Sequence, residues 1–166
     1  MLMPRKLYTA IFCLLLPLYF FRLFWKGLYN REYWHRWLER LGLSKNSPQK
    51  DKSLIWVHAV SVGEVNASMP LIRSLIEKYP DAEILVTTTT PTGSKLLIER
   101  IGNKIKHQYI PIDIPIFINF FLDKWKPKIL ILLETEIWPN IIFNCSNRGI
   151  LTTLVNARLS EKSKKN

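Results

Sequence analysis

From Leu54 onward, short apolar runs alternate with segments whose apolar residues recur every three or four positions. The runs "LIWVHAV" (54–60), "AEILVTTT" (82–89), "HQYIPID" (107–113), "KILILLE" (128–134) and "ILTTLVN" (150–156) have strand length. The first and fourth are almost wholly apolar, as expected of strands covered on both faces. Between the runs, 65–79, 92–101, 115–125 and 138–148 carry a helical period, clearest at Val65, Met69, Ile72, Leu75, Ile76 and Tyr79. Pro70 inside the first of these predicts a late start or a kink. Pro115 enters the third, and Pro139 and Gly149 bracket the fourth. Strands alternating with helices through short connections predict an α/β domain over 54–160, a Rossmann-like parallel sheet with right-handed crossovers.

Upstream the pattern changes. Residues 7–21, "LYTAIFCLLLPLYFF", hold no charge, and "RLFW" carries the apolar stretch past Arg22 to Trp25. The resulting 19 residues approach the ~20 that a spanning helix needs. Aromatic residues crowd its downstream end and cations follow at once, the order of a membrane interface on its cytoplasmic side. No small-x-small cleavage site follows the apolar core, so a removable signal peptide fits less well. Residues 1–28 are therefore expected to be a membrane anchor, in preference to a buried helix of a soluble domain. Within 29–41, "YNREYWHRWLERL", the spacing of Tyr33, Trp34, Trp37, Leu38 and Leu41 predicts an amphipathic helix at headgroup level. The polar stretch to residue 53 reads as a linker, and 161–166 as a solvated tail.

Charge sharpens that picture. The chain carries a formal +11, and residues 1–50 hold nine Lys and Arg against two acids. Such an excess suits nucleic acid or an anionic lipid surface, and the apolar, aromatic neighbours select the lipid. No nucleic-acid partner is expected. Cys13 and Cys145 lie far apart with no CxxC, so neither a disulfide framework nor a metal site is expected.

In a sheet of this kind the loops after the strand C-termini form one rim, and ligands bind there. "SVGE" (61–64), "TTTPTGS" (88–94), "PIDIP" (111–115), "ETEIWPN" (134–140) and "NAR" (156–158) all fall on that rim. A dinucleotide fingerprint is excluded, because "SVGEVNAS" has one glycine and an acid where a pyrophosphate would sit. "PTGSK" lacks the leading glycine of a phosphate loop, and no cofactor is implied. Thr92, Gly93 and Ser94 could offer backbone N–H groups to one anion, or simply follow a helix cap. Glu64 stands at a helix start, where the dipole favours an acid; it is either a cap or a base. Glu134 and Glu136 flank Thr135 at the end of an apolar strand, where they either work in a cleft or accept loop N–H groups. His58 and His107 lie on strands and read as core or edge residues.

"WVHAVSVGE", "PLIRSL", "VTTTTPTGS", "ETEIWPN" and "LVNARLS", in that order, closely resemble the N-terminal half of the 3-deoxy-D-manno-octulosonic acid (Kdo) transferases of lipopolysaccharide synthesis. The resemblance implies a two-domain GT-B glycosyltransferase at the cytoplasmic face of the inner membrane. Its N-terminal domain would bind the lipid A precursor and its C-terminal domain CMP-Kdo. It implies Glu64 as general base and Glu134 as a second important acid. Around Glu64, the rim residues Ser61, Gly63, Thr92, Gly93, Ser94, Glu134, Glu136, Asn156 and Arg158 form the expected acceptor-binding or supporting set. Anionic membrane lipids are the other expected partner.

The chain ends soon after the fifth strand, so the resemblance also implies a fragment, truncated product or half of a split enzyme, inactive without a donor domain. Two other classes stay open. A non-catalytic, membrane-bound acceptor-binding module needs no donor half. A basic nucleic-acid-binding protein would instead show strongly salt-dependent duplex binding.

Overall fold

The apolar runs become five strands: β1 (Ser53–His58), β2 (Ala82–Thr88), β3 (Lys106–Tyr109), β4 (Ile129–Leu133) and β5 (Leu151–Val155). In this computed structural model, which describes residues 4–134 and 136–156, they pair in parallel as one sheet ordered β3-β2-β1-β4-β5. The helices α2 (Val62–Lys78) and α3 (Pro91–Ile101) cover one face, and α4 (Pro115–Trp125) and α5 (Pro139–Asn147) the other. Alternation along β1 sorts the two cores. Leu54 and Trp56 pack with Phe121, Trp125 and Ile141, while Ile55 and Val57 pack with Val65, Ile72 and Leu97. Both faces are buried, which is why the strand reads as a continuous apolar run. The expected α/β parallel sheet is the fold.

Element ends differ from expectation where local chemistry intervenes. α2 starts at Val62 and continues through Pro70, whose missing N–H removes the bond to the Asn66 carbonyl without ending the helix. β3 stops at Tyr109, two residues before Pro111, which has no N–H to continue a ladder.

The N-terminal apolar segment is a helix, α1 (Arg5–Tyr29). The single amphipathic helix expected over 29–41 is corrected to two short 3-10 turns, Arg31–Tyr33 and Trp37–Leu41. Arg36 between them takes a left-handed φ of 60°. There its guanidinium reaches Glu39 at 2.8 Å and the His107 carbonyl at 2.8 Å. Glu39 in turn accepts the Tyr109 N–H at 2.8 Å, capping the open edge of β3. A straight helix could not deliver both groups to that edge.

The stretch after it is docked, not a free tether. Gly42, at φ 77°, turns so tightly against α4 that a Cβ would lie 2.0 Å from the Phe117 carbonyl oxygen. Lys124 donates to the Ser44 carbonyl, and Glu83 accepts the Gln49 N–H at 2.9 Å.

Candidate functional site

The chain builds β1, β2 and β3 outward in one direction, then returns to lay β4 against the other side of β1. After β1 it turns toward the α2 face; after β4 it turns toward the α5 face. Between these diverging loops lies the switch point where open α/β sheets hold ligands. Glu64 stands on one side of it, Glu134 and Glu136 on the other.

Glu64 is the third residue of α2, only 8 % exposed. One carboxylate oxygen accepts the Val60 N–H at 2.7 Å and the other the Ser61 hydroxyl at 3.2 Å. This differs from a capping box, in which the serine would accept a helix N–H; the Ser61 side chain caps nothing. The Val60 carbonyl is fixed as well, accepting from the Thr89 hydroxyl at 2.8 Å and the Thr89 N–H at 3.2 Å. The corner that carries Glu64 is thus tied on both sides, and its carboxylate is held in one orientation.

Across the switch point, Glu134 takes φ 58° and donates its N–H to the Val155 carbonyl at 2.9 Å. A glutamate in the left-handed region is uncommon, and such positions gather at functional sites. Glu136 accepts the Trp138 indole N–H at 2.8 Å. Burial pushes its carboxyl above the ordinary value, the indole bond pulls it back, and the Glu64 and Glu134 carboxylates add to the rise. Three acids from two loops therefore share one small region.

The β2 loop packs beside them. Thr90 caps α3: its hydroxyl accepts the Gly93 N–H at 3.2 Å and its carbonyl the Ser94 N–H at 3.0 Å. Of the two readings for this loop, a cap or an anion cradle, the cap occupies the Gly93 and Ser94 N–H groups, and the exposed Thr92 hydroxyl donates to the Thr90 hydroxyl at 3.3 Å. Ser94 is buried, with its hydroxyl 3.3 Å from His107 Nδ1. A Cβ on Gly93 would stand 3.1 Å from the Thr90 hydroxyl oxygen and 3.7 Å from the Ser61 backbone, so a small residue keeps the two turns together. Gly63 has only the Ser61 hydroxyl nearby. Asn156, at φ 57°, is exposed at the end of β5, one strand further out. Arg158 lies outside the described residues.

Several residues of this rim were not singled out by sequence reasoning. Asp113, fully buried, accepts the Asn140 and Ile141 N–H groups at 3.1 and 2.8 Å, capping α5 from another loop. Asn140 Oδ1 then accepts from the Thr9 hydroxyl at 3.1 Å and from Arg5 at 3.3 Å. Arg40, buried, donates to the Thr89 carbonyl at 2.9 Å and to the Tyr19 hydroxyl at 3.2 Å. Between α1 and the rim these contacts frame a cavity of about 480 Å³, walled by Phe12, Leu16, Leu23, Ile110, Ile112 and Trp138. Arg22, Lys26 and Arg40 bring positive charge to it. Only "PIDIP" and "WPN" hinted at this from sequence, as polar interruptions on the rim.

The two strand histidines are neutral supports. His58 Nδ1 lies 3.1 Å from the Thr87 carbonyl, which can only accept, so Nδ1 carries the proton. Full burial pushes its imidazole down to about 4. His107 Nδ1 faces the Arg36 guanidinium at 3.0 Å and must accept, so Nε2 donates to the Thr88 hydroxyl at 3.0 Å. Burial first, and the Arg36 charge second, push it down to about 3.

Unfolding frees both rings to protonate near 6.5. Their contribution is thus complete above that pH and is lost as pH falls through about 4 and about 3. Thermal melts from pH 7 to pH 3 should show a falling Tm, with a shallower fall in His107→Gln. An equal slope in that variant would remove His107 from the account.

Comparison with known proteins bears on what this rim does. A family model described as 3-deoxy-D-manno-octulosonic-acid transferase (kdotransferase) matches residues 35–166. The chain is 38% identical over 161 residues to the 3-deoxy-D-manno-octulosonic acid transferase of Haemophilus influenzae, covering 97% of this chain and 38% of that protein. It is 38% identical over 158 residues to the corresponding transferase of Rickettsia bellii, covering 95% and 37%. The chain thus spans little more than a third of the length of these relatives.

Proposed function

Since this chain belongs to the 3-deoxy-D-manno-octulosonic acid transferase family, we propose that its α/β domain binds the acceptor of a Kdo transfer, with Glu64 as general base. The acceptor is a lipid A precursor and the donor CMP-Kdo, bound by a donor domain of the kind the family resemblance implies. The reaction takes place at the cytoplasmic face of the inner membrane, where α1 is the anchor.

One observation carries this reading: the fixed carboxylate of Glu64 at the switch point, on a corner tied through Val60 to Thr89, which lines an apolar cavity bearing cations. A carboxylate offers about four acceptor sites, so the two bonds from Val60 and Ser61 leave room for a third. The acceptor's sugar hydroxyl would occupy it. Its oxygen bonds to the anomeric carbon of Kdo, the bond from that carbon to the CMP phosphate oxygen breaks, and the hydroxyl proton passes to Glu64. The step inverts the anomeric centre by direct displacement, without a second nucleophile. The apolar cavity suits acyl chains of the acceptor, and Arg22, Lys26 and Arg40 suit its phosphate.

Joining these 166 residues to the C-terminal remainder of the Haemophilus influenzae relative tests the reading. With lipid A precursor and freshly generated CMP-Kdo, the chimera should yield an acceptor heavier by one or more Kdo units in mass spectra. A folded, membrane-bound chimera that binds donor but makes no such product would overturn it.

A further inference from the structure

We propose that α1 lies in the plane of one membrane leaflet, its inner face held by the α/β domain and its outer face among the acyl chains, without crossing the bilayer. This rests on the membrane reading above and goes beyond it.

By length alone the helix could cross. Its 25 residues extend over about 37 Å at ~1.5 Å per residue, against a hydrocarbon core of ~30 Å. It is also apolar enough to do so. Yet the two sides of the helix differ. Arg5, Thr9, Phe12, Leu16, Tyr19 and Leu23 are all partly covered and recur at helical spacing on the domain side. Leu7, Leu14, Leu18, Phe21, Trp25 and Leu28 are 51% to 80% exposed. At 3.6 residues per turn these six fall within an arc of about 100° opposite the first set. The outer arc is wholly apolar and largely exposed, with Leu18 alone of the six also reaching the edge of the cavity.

The inner face is fastened along its whole length. At the start, Arg5 bonds Asn140 and lies 3.6 Å over the Phe143 ring, while Thr9 bonds the same Asn140. In the middle, Tyr19 receives the buried Arg40. At the end, Trp34 donates to the Phe24 carbonyl at 3.3 Å and covers Gly27 so closely that a Cβ there would meet its indole nitrogen at 1.7 Å. A helix crossing the bilayer with these contacts intact would carry Asp113, Arg40 and the acidic rim into hydrocarbon, where ionisable groups are strongly disfavoured. Crossing after release from the domain would leave Asn140 and the buried Arg40 without those partners. Lying flat avoids both outcomes.

The occupant of the outer face is then a leaflet with anionic headgroups. Lys6 and Arg22 are exposed beside the apolar arc and Arg31 just after the helix, complementing anionic lipid. Tyr29, Trp34 and Trp37, also exposed, suit interfacial depth. Because α1 roofs the cavity at the rim, a lipid could enter that cavity, beside Arg40 and Thr89, from within the leaflet.

Full-length chain in a Cys13→Ser background, carrying either Lys6→Cys or Lys78→Cys, would be tested in inside-out inner-membrane vesicles with a membrane-impermeant maleimide. Both cysteines should be labelled to the same extent from the outside. Lys6→Cys protected until detergent is added, with Lys78→Cys labelled at once, would establish a crossing helix and overturn the proposal. Spin labels at Leu7→Cys, Leu14→Cys and Leu28→Cys should report one common shallow depth in phosphatidylethanolamine–phosphatidylglycerol vesicles. A much deeper central position would overturn it equally. Recovery of the protein in the supernatant after high salt alone would instead defeat membrane attachment itself, a separate and recognisable failure.

Discussion

Replacing Glu64 with glutamine in the two-domain chimera is expected to lower turnover roughly 10²–10⁴-fold, the usual cost of losing a general base. Glutamine keeps the length of the side chain and one carbonyl oxygen, so the Val60 N–H, bonded at 2.7 Å, still has an acceptor. What it loses is the capacity to take a proton. Acceptor binding and Tm should therefore change little.

The competing role predicts the reverse. If Glu64 serves only to tie the corner and complement the N-terminus of α2, the change should cost on the order of 1 kcal/mol in stability and leave turnover nearly intact. Glu77→Gln, exposed on the same helix, is the control and should do neither. Product formation at different acceptor concentrations separates a lost base from a lost binding contact. Near-normal turnover together with a lowered Tm would sink the catalytic role and leave the cap.

The alternation of β1 to β5 with their helices was legible because both faces of the sheet are covered. Leu54, Ile55, Trp56 and Val57 are all buried, so strand identity is written in an unbroken apolar run. Glu64, Glu134 and Glu136 were legible for a related reason: polar residues concentrate where such strands end. That they face one another was not. Their meeting depends on β4 returning beside β1, a long-range choice that no local spacing encodes. The 29–41 segment misled because aromatic residues at helical spacing say nothing of Arg36 reaching a carbonyl 71 positions away. α1 read as uniformly apolar, since Phe12, Leu16 and Leu23 are as apolar as the outer face; only Arg5, Thr9 and Tyr19 mark the side that is held. Asp113 was visible merely as the acid of "PIDIP", because its partners stand 27 and 28 positions downstream.

That same Asp113 should give the largest loss of stability among the polar residues of the rim. The first N–H groups of any helix lack intrahelical partners, and at the start of α5 the buried Asn140 and Ile141 donate theirs to this one carboxylate. Asp113→Ala removes both acceptors in a place water does not reach. Each stranded donor costs about 1–3 kcal/mol, offset in part because burial already holds this carboxyl above its ordinary value. A net loss of about 2–4 kcal/mol at neutral pH is expected in urea denaturation. Asp113→Asn retains one oxygen and should lose roughly half as much. The wild-type advantage over Asn should shrink as pH rises through the carboxyl's raised folded pKa, because the charged form is the one that burial disfavours. Asn140 also holds Arg5 and Thr9, so loosening the start of α5 should make α1 more susceptible to limited proteolysis. An Asp113→Ala protein as stable as wild type would show that these N–H groups find other acceptors, and that α1 is not fastened through this cap.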